Sequence, residues 1–79
     1  MGLTAKEREW ADKARRFLKA EIKRADIGYR ELAERLNKHG LQETEASISS
    51  KLQRGTFGVT FFLSCLAVLG IPTLALEDL

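Results

Sequence analysis

Residues Tyr29 to Gly70 read YRELAERLNKHGLQETEASISSKLQRGTFGVTFFLSCLAVLG, and the glycines in this stretch divide it into three helical segments. In the first, Tyr29 to Lys38, the residues Leu32, Ala33 and Leu36 fall at the three-and-four spacing of one helical face, with Arg30, Glu31, Glu34 and Arg35 outside. Gly40 marks its end, because glycine enters the left-handed region without steric cost. After the polar turn Leu41-Gln42-Glu43, Thr44 is a suitable N-cap for a segment running to Arg54, with Ile48 and Leu52 one turn apart on its inner side. Gly55 and Gly58 bracket Thr56-Phe57. The last segment, Val59 to Leu69, is apolar almost all round through Phe61, Phe62, Leu63, Cys65, Leu66, Val68 and Leu69. Such a helix lies at the centre of a core or is covered in part by a second subunit.

Upstream, Trp10, Ala14, Phe17, Leu18, Glu21, Ile22 and Ala25 step along one face and predict a long amphipathic helix, roughly Thr4 to Asp26. Thr4 is placed to cap it, with Glu7 completing a capping box and Glu9 near its positive end. Gly28 separates this helix from the next. Lys6, Arg8, Lys13, Arg15, Arg16, Lys19, Lys23 and Arg24 stand here against Glu7, Glu9, Asp12, Glu21 and Asp26, so the helix holds most of the chain's excess positive charge. Either this is a solvated face with pairs such as Glu9 to Lys13 and Asp12 to Arg16, or it is a phosphate-binding stripe; residues near Lys23 and Arg24 can serve both. At the other end, Ile71 to Leu76 alternates too briefly to choose between a short strand and a helical turn. A strand would most simply pair with its own copy across a two-fold axis.

A chain of 79 residues, 44% hydrophobic and 30% charged, builds one domain spanning residues 1–79 around one small core. That leaves no room for an enclosed active site of ordinary enzyme size. No nucleophile–base pair, phosphate-cradling glycine loop or carboxylate cluster is apparent, so the reading is not an enzyme. Cys65 is the single cysteine, which rules out an intramolecular disulfide and suits a reduced intracellular setting. His39 has no Cys or second His with which to hold a metal, and no cofactor is expected. With no signal-type opening, and with Gly58 to Leu69 too short to span a bilayer, the expectation is a cytoplasmic protein without a membrane partner. The formal charge of +2 does not by itself demand a polyanionic partner.

Distribution matters more than the net charge. A short serine-rich helix closing on Arg54-Gly55, set behind another helix and a turn, has the outline of a helix-turn-helix. The second helix of that motif reads base edges in the major groove. It needs small or polar outer side chains so that the backbone can approach, and Arg or Lys to reach phosphate or guanine. Ser47, Ser49 and Ser50 meet the first need; Lys51 and Arg54 meet the second. The plainer reading of the same residues is a solvated helix. Glu43 and Glu45, at the front of that helix, would meet phosphates unfavourably unless they accept from cytosine amino groups or point away.

At Arg30-Glu31-Leu32-Ala33-Glu34, and again from Ile48 to Arg54-Gly55 and at Leu69-Gly70-Ile71, the sequence resembles the phage repressor/Cro-like helix-turn-helix family. The resemblance covers roughly Phe17 to Ile71. It implies an all-α, four-helix, helix-turn-helix-like domain, here with an extended turn at Asn37 to Glu43 and a short C-terminal element. It also implies double-stranded DNA as partner and a homodimeric transcriptional regulator. By the same resemblance Tyr29, with Arg30 beside it, falls where the family touches a phosphate; Ser47, Ser49, Ser50 and Lys51 fall among base-reaching positions, and Arg54 near the backbone-touching end. The Trp-Ala opening, Arg-Gly-Thr-Phe centre and Leu-Gly-Ile ending also resemble a small bacterial domain of unknown function, from which no activity carries over. The alternative function is a protein-interaction or dimerisation module on the same scaffold, with Phe57, Phe61 and Phe62 as aromatic contact material. Solvent-exposed aromatics would favour a protein partner, whereas a basic surface around Tyr29, Ser50, Lys51 and Arg54 would favour DNA.

Overall fold

The computed structural model describes residues 2–79. Four α-helices follow one another: α1 (Ala5–Arg24), α2 (Tyr29–Lys38), α3 (Glu45–Arg54) and α4 (Val59–Val68), and a 3-10 turn at Leu76–Asp78 closes the chain. The start of α1 is fixed by the expected capping box. The Glu7 amide donates to Thr4 Oγ1 at 3.1 Å, and the Thr4 amide donates to Glu7 Oε1 at 2.8 Å. The helix ends before Asp26, which adopts a left-handed conformation at φ 57°. Aspartate tolerates that region better than most residues. The break therefore comes from Asp26; Gly28 is the extended N-cap of α2.

Helices α2 and α4 end in the same way. The Gly40 amide donates to Asn37 O and the Leu41 amide to Leu36 O; the Gly70 amide donates to Ala67 O and the Ile71 amide to Leu66 O. Each is a Schellman motif, with its glycine at positive φ, 91° for Gly40 and 76° for Gly70. In both, the residue after the glycine is an aliphatic that turns back on the core: Leu41 and Ile71 pack partly buried against it.

Every helix contributes to that core. Leu18 and Ile22 come from α1, Leu32, Ala33 and Leu36 from α2, Ile48 and Leu52 from α3, and Phe61, Cys65 and Leu66 from α4. The buried residues of α1 all lie in its C-terminal half, for a reason of length. At 1.5 Å per residue a 20-residue helix is about 30 Å long, twice the length of its ten-residue neighbours, and its N-terminal half meets only the link between α3 and α4, where Leu3, Glu7, Ala11 and Ala14 share a shallow groove with Gly55, Thr56 and Phe57. Trp10, placed by its spacing on the inner face, is consequently 53% exposed, with Lys13 Nζ 4.6 Å from the ring centroid. The C-terminal segment forms no strand: residues 71–75 run extended, Ile71 and Leu74 rest on the core, and the alternation ends in the 3-10 turn. No helix among the described residues is long and apolar enough to cross a membrane.

Leu36→Ala and Ile48→Ala each empty a fully buried position and are expected to cost about 2–5 kcal/mol in denaturant unfolding. Trp10→Ala, despite removing a larger side chain, is expected to cost under about 1 kcal/mol, because that ring packs on one side only.

Candidate nucleic-acid interface

The extended turn between α2 and α3 is an ordered structure with its own hydrogen bonds. Asn37 Oδ1 accepts from the Glu43 amide at 2.9 Å, which ties the end of the turn back to α2. Thr44 and Ser47 then cap α3 reciprocally: the Ser47 amide donates to Thr44 Oγ1 at 3.0 Å and the Thr44 amide to Ser47 Oγ at 2.8 Å. Serine plays here the part that glutamate plays in a capping box.

Glu43 lies under this cap with its side chain only 6% exposed. A buried carboxylate is tolerated only when paired and hydrogen-bonded. Lys51 Nζ donates to Glu43 Oε2 at 2.5 Å and Ser47 Oγ donates to Glu43 Oε1 at 2.6 Å. The same ammonium sits 4.6 Å from the ring centroid of Phe61 in α4. Glu43 thus points away from any phosphate. Ser47 and Lys51, expected among the base-reaching residues, are half-buried and already engaged: Ser47 is committed to the cap and Lys51 to the buried carboxylate. The spacing Glu43, Ser47, Lys51 places all three at successive four-residue steps, a signal that was open to reading in the sequence.

Cys65 is close enough to feel this pair. Burial pushes its thiol up to about 12, Glu43 adding to the rise and Lys51 opposing it. The thiol is accordingly protonated and unreactive at neutral pH.

What remains on the outer side of α3 is Ala46, Ser49, Ser50, Gln53 and Arg54, all exposed. Among the described residues, none of these side chains is held by an ion pair or an internal hydrogen bond. Glu45 is also exposed, at the positive N-terminal end of α3, where a carboxylate is favourable. Arg30 is exposed near the start of α2 with no acidic partner among the described residues, while Tyr29 beside it is half-buried against the core. The structure thus keeps Ser49, Ser50, Arg54 and Arg30 available to a ligand. Gln53 is exposed on the same face.

The phenylalanines are largely internal. Phe61 is buried, and Phe57 lies 5.4 Å from Phe61 and 6.1 Å from Phe62 between ring centroids, forming an aromatic wedge with both. Phe17 of α1 meets Phe62 at 6.5 Å. The large apolar side chains open on α4 are Val59 and Leu63. No group of three or more His, Cys, Asp or Glu that could hold a metal occurs among the described residues.

Lys51→Ala leaves the Glu43 carboxylate buried without its cation and is expected to cost about 1–3 kcal/mol; Arg54→Ala should stay within about 0.5 kcal/mol of the parent. Chemical denaturation of both variants makes the comparison. Cys65 should resist a thiol-specific disulfide reagent at pH 8 in the native protein and react fully once denaturant is added.

Comparison with known proteins gives one match. No curated protein and no solved structure matches the chain. A family model described as a domain of unknown function (DUF6471) matches residues 10–74, from Trp10 through the Schellman turn after α4 to Leu74. With all four helices wholly or largely inside that match, the chain belongs to this family.

Proposed function

We propose that this domain binds double-stranded DNA as a helix-turn-helix module, with α3 entering the major groove, and that it serves as a transcriptional regulator. The observation that carries the reading is the outer face of α3: small and polar side chains at Ala46, Ser49, Ser50 and Gln53, followed by Arg54, with no structural task for any of them. Short side chains let a helix backbone approach base edges, and an arginine at the helix end reaches a phosphate or a guanine. Of the two acids at the front of α3, Glu43 is neutralised inside the protein by Lys51, while Glu45 stays exposed beside the first turn. Arg30, and the hydroxyl of Tyr29, supply backbone contacts beside α3. The resemblance to the phage repressor/Cro-like family points the same way. A module this small offers limited contact area, so tight binding calls for a homodimer reading two half-sites about one helical turn apart.

A second reading has its own observation. Val59 and Leu63, one turn apart on α4, are 68% and 57% exposed. They favour a protein partner or a second subunit on that face, whether or not α3 meets DNA.

Fluorescence anisotropy of a labelled duplex, measured across a salt series with the Arg30→Ala/Arg54→Ala variant alongside, separates the two. The expected result is binding that weakens steeply with salt, with a log–log slope shallower by about 1.8 in the variant for two lost phosphate contacts. Absence of duplex binding even at low salt would leave the protein-partner reading in possession.

A further inference from the structure

We infer that Lys19 and Lys23 of α1, together with the hydroxyl of Tyr29, form a second contact surface that takes the phosphodiester backbone of a nucleic acid outside the stretch read by α3. This rests on the DNA-binding reading and adds to it a site on a different helix. Three basic side chains of α1 are ion-paired among the described residues. Lys6 pairs with Glu9, Arg15 with Asp12 and Arg24 with Glu21. Lys19 and Lys23 are exposed and have no acidic partner among the described residues. They stand four residues apart, the spacing at which two like charges on a helix repel each other. The C-terminal end of α1 favours Lys23 as a cation, but no carboxylate neutralises either lysine.

Between them and the start of α2 runs a groove of about 400 Å³ lined by Lys19, Ala20, Ile22, Lys23, Ile27 and Tyr29. Its lining contains no carboxylate. Of the acids nearby in sequence, Glu21 is paired with Arg24 and Asp26 belongs to the link between the helices, and neither lines the groove. Two ammonium groups and a phenolic hydroxyl around an apolar floor complement a phosphodiester, which presents charged oxygens to the lysines and a hydroxyl acceptor to the tyrosine. Tyr29 opens α2, so the groove runs from α1 to the start of that helix. A duplex held there would be gripped on α1 and α2 together.

The test uses the whole chain and the Lys19→Gln/Lys23→Gln variant, which keeps helix propensity while removing both charges. Anisotropy of labelled duplexes of several sequences, across a salt series, is expected to show weaker binding in the variant on every sequence alike. The log–log salt slope should be shallower by about 1.8, and Lys19→Arg/Lys23→Arg should restore it. Thermal unfolding of the variants is expected to match the parent. An unchanged slope in the Gln variant, with the slope still shallower in Arg30→Ala/Arg54→Ala, would overturn this surface while leaving the DNA reading intact. A parent protein that binds no duplex overturns both. Capture by anionic phospholipid vesicles instead of duplex, abolished in the Gln variant, would also overturn it by assigning the lysines to a lipid surface.

Discussion

The buried pair between Glu43 and Lys51 is the constraint on which the placement of α3 depends. Removing a carboxylate from water is costly, and a pair of charges in the interior repays that cost only with good geometry and with its remaining hydrogen-bonding capacity filled. Both conditions are met by parts that also build the helix. Ser47 bonds Glu43 with the same oxygen that caps α3, and Asn37 holds the Glu43 amide from α2. Lys51 reaches the carboxylate from the next turn of α3 and lies over Phe61 of α4. One ion pair thus connects the turn, α3 and α4. Its position also fixes the rotation of α3: with Ser47 and Lys51 on the inward side beside Ile48 and Leu52, the outward side must be Ala46, Ser49, Ser50 and Gln53.

Local chemistry made most of the fold legible. Thr4 with Glu7, Thr44 at the start of α3, and Gly40 and Gly70 at the ends of α2 and α4 are signals that act within a few residues, and the helices start and stop at or within two residues of where those signals point. The features that were not legible are ones that depend on distance. Trp10 has the right spacing for an inner face, but spacing says nothing about how far a helix extends past its neighbours. Charge type placed Lys51 outside; a carboxylate eight residues earlier, brought under the cap by the turn, placed it inside. Asp26 shows a third kind of limit, since the link between α1 and α2 could be turned by either Asp26 or Gly28 and the sequence favours the glycine.

The apolar character of α4 has a mixed outcome. One side supplies Phe61, Cys65 and Leu66 to the core, while Val59 and Leu63 stay in water. A ten-residue helix is only about 15 Å long. A stable protein–protein interface buries roughly 800 Å² on each partner, more than a few side chains on such a helix can provide. If α4 lies at a subunit boundary, neighbouring segments must contribute to the same interface.

Net charge is a poor guide to what this surface attracts. The formal total of +2 averages over acids that are already committed: Glu9, Asp12, Glu21, Glu31 and Glu43 each neutralise a basic group within the fold. The cations left without such a partner include Lys19 and Lys23 on α1, Arg30 on α2 and Arg54 on α3. A phosphate approaching this surface responds to charges within about a Debye length, some 8–10 Å at physiological salt, and not to the whole-chain sum. Internal pairing therefore sorts the charge as well as stabilising the fold: every acid tied up inside makes the nearby unpaired lysines and arginines more effective as anion contacts.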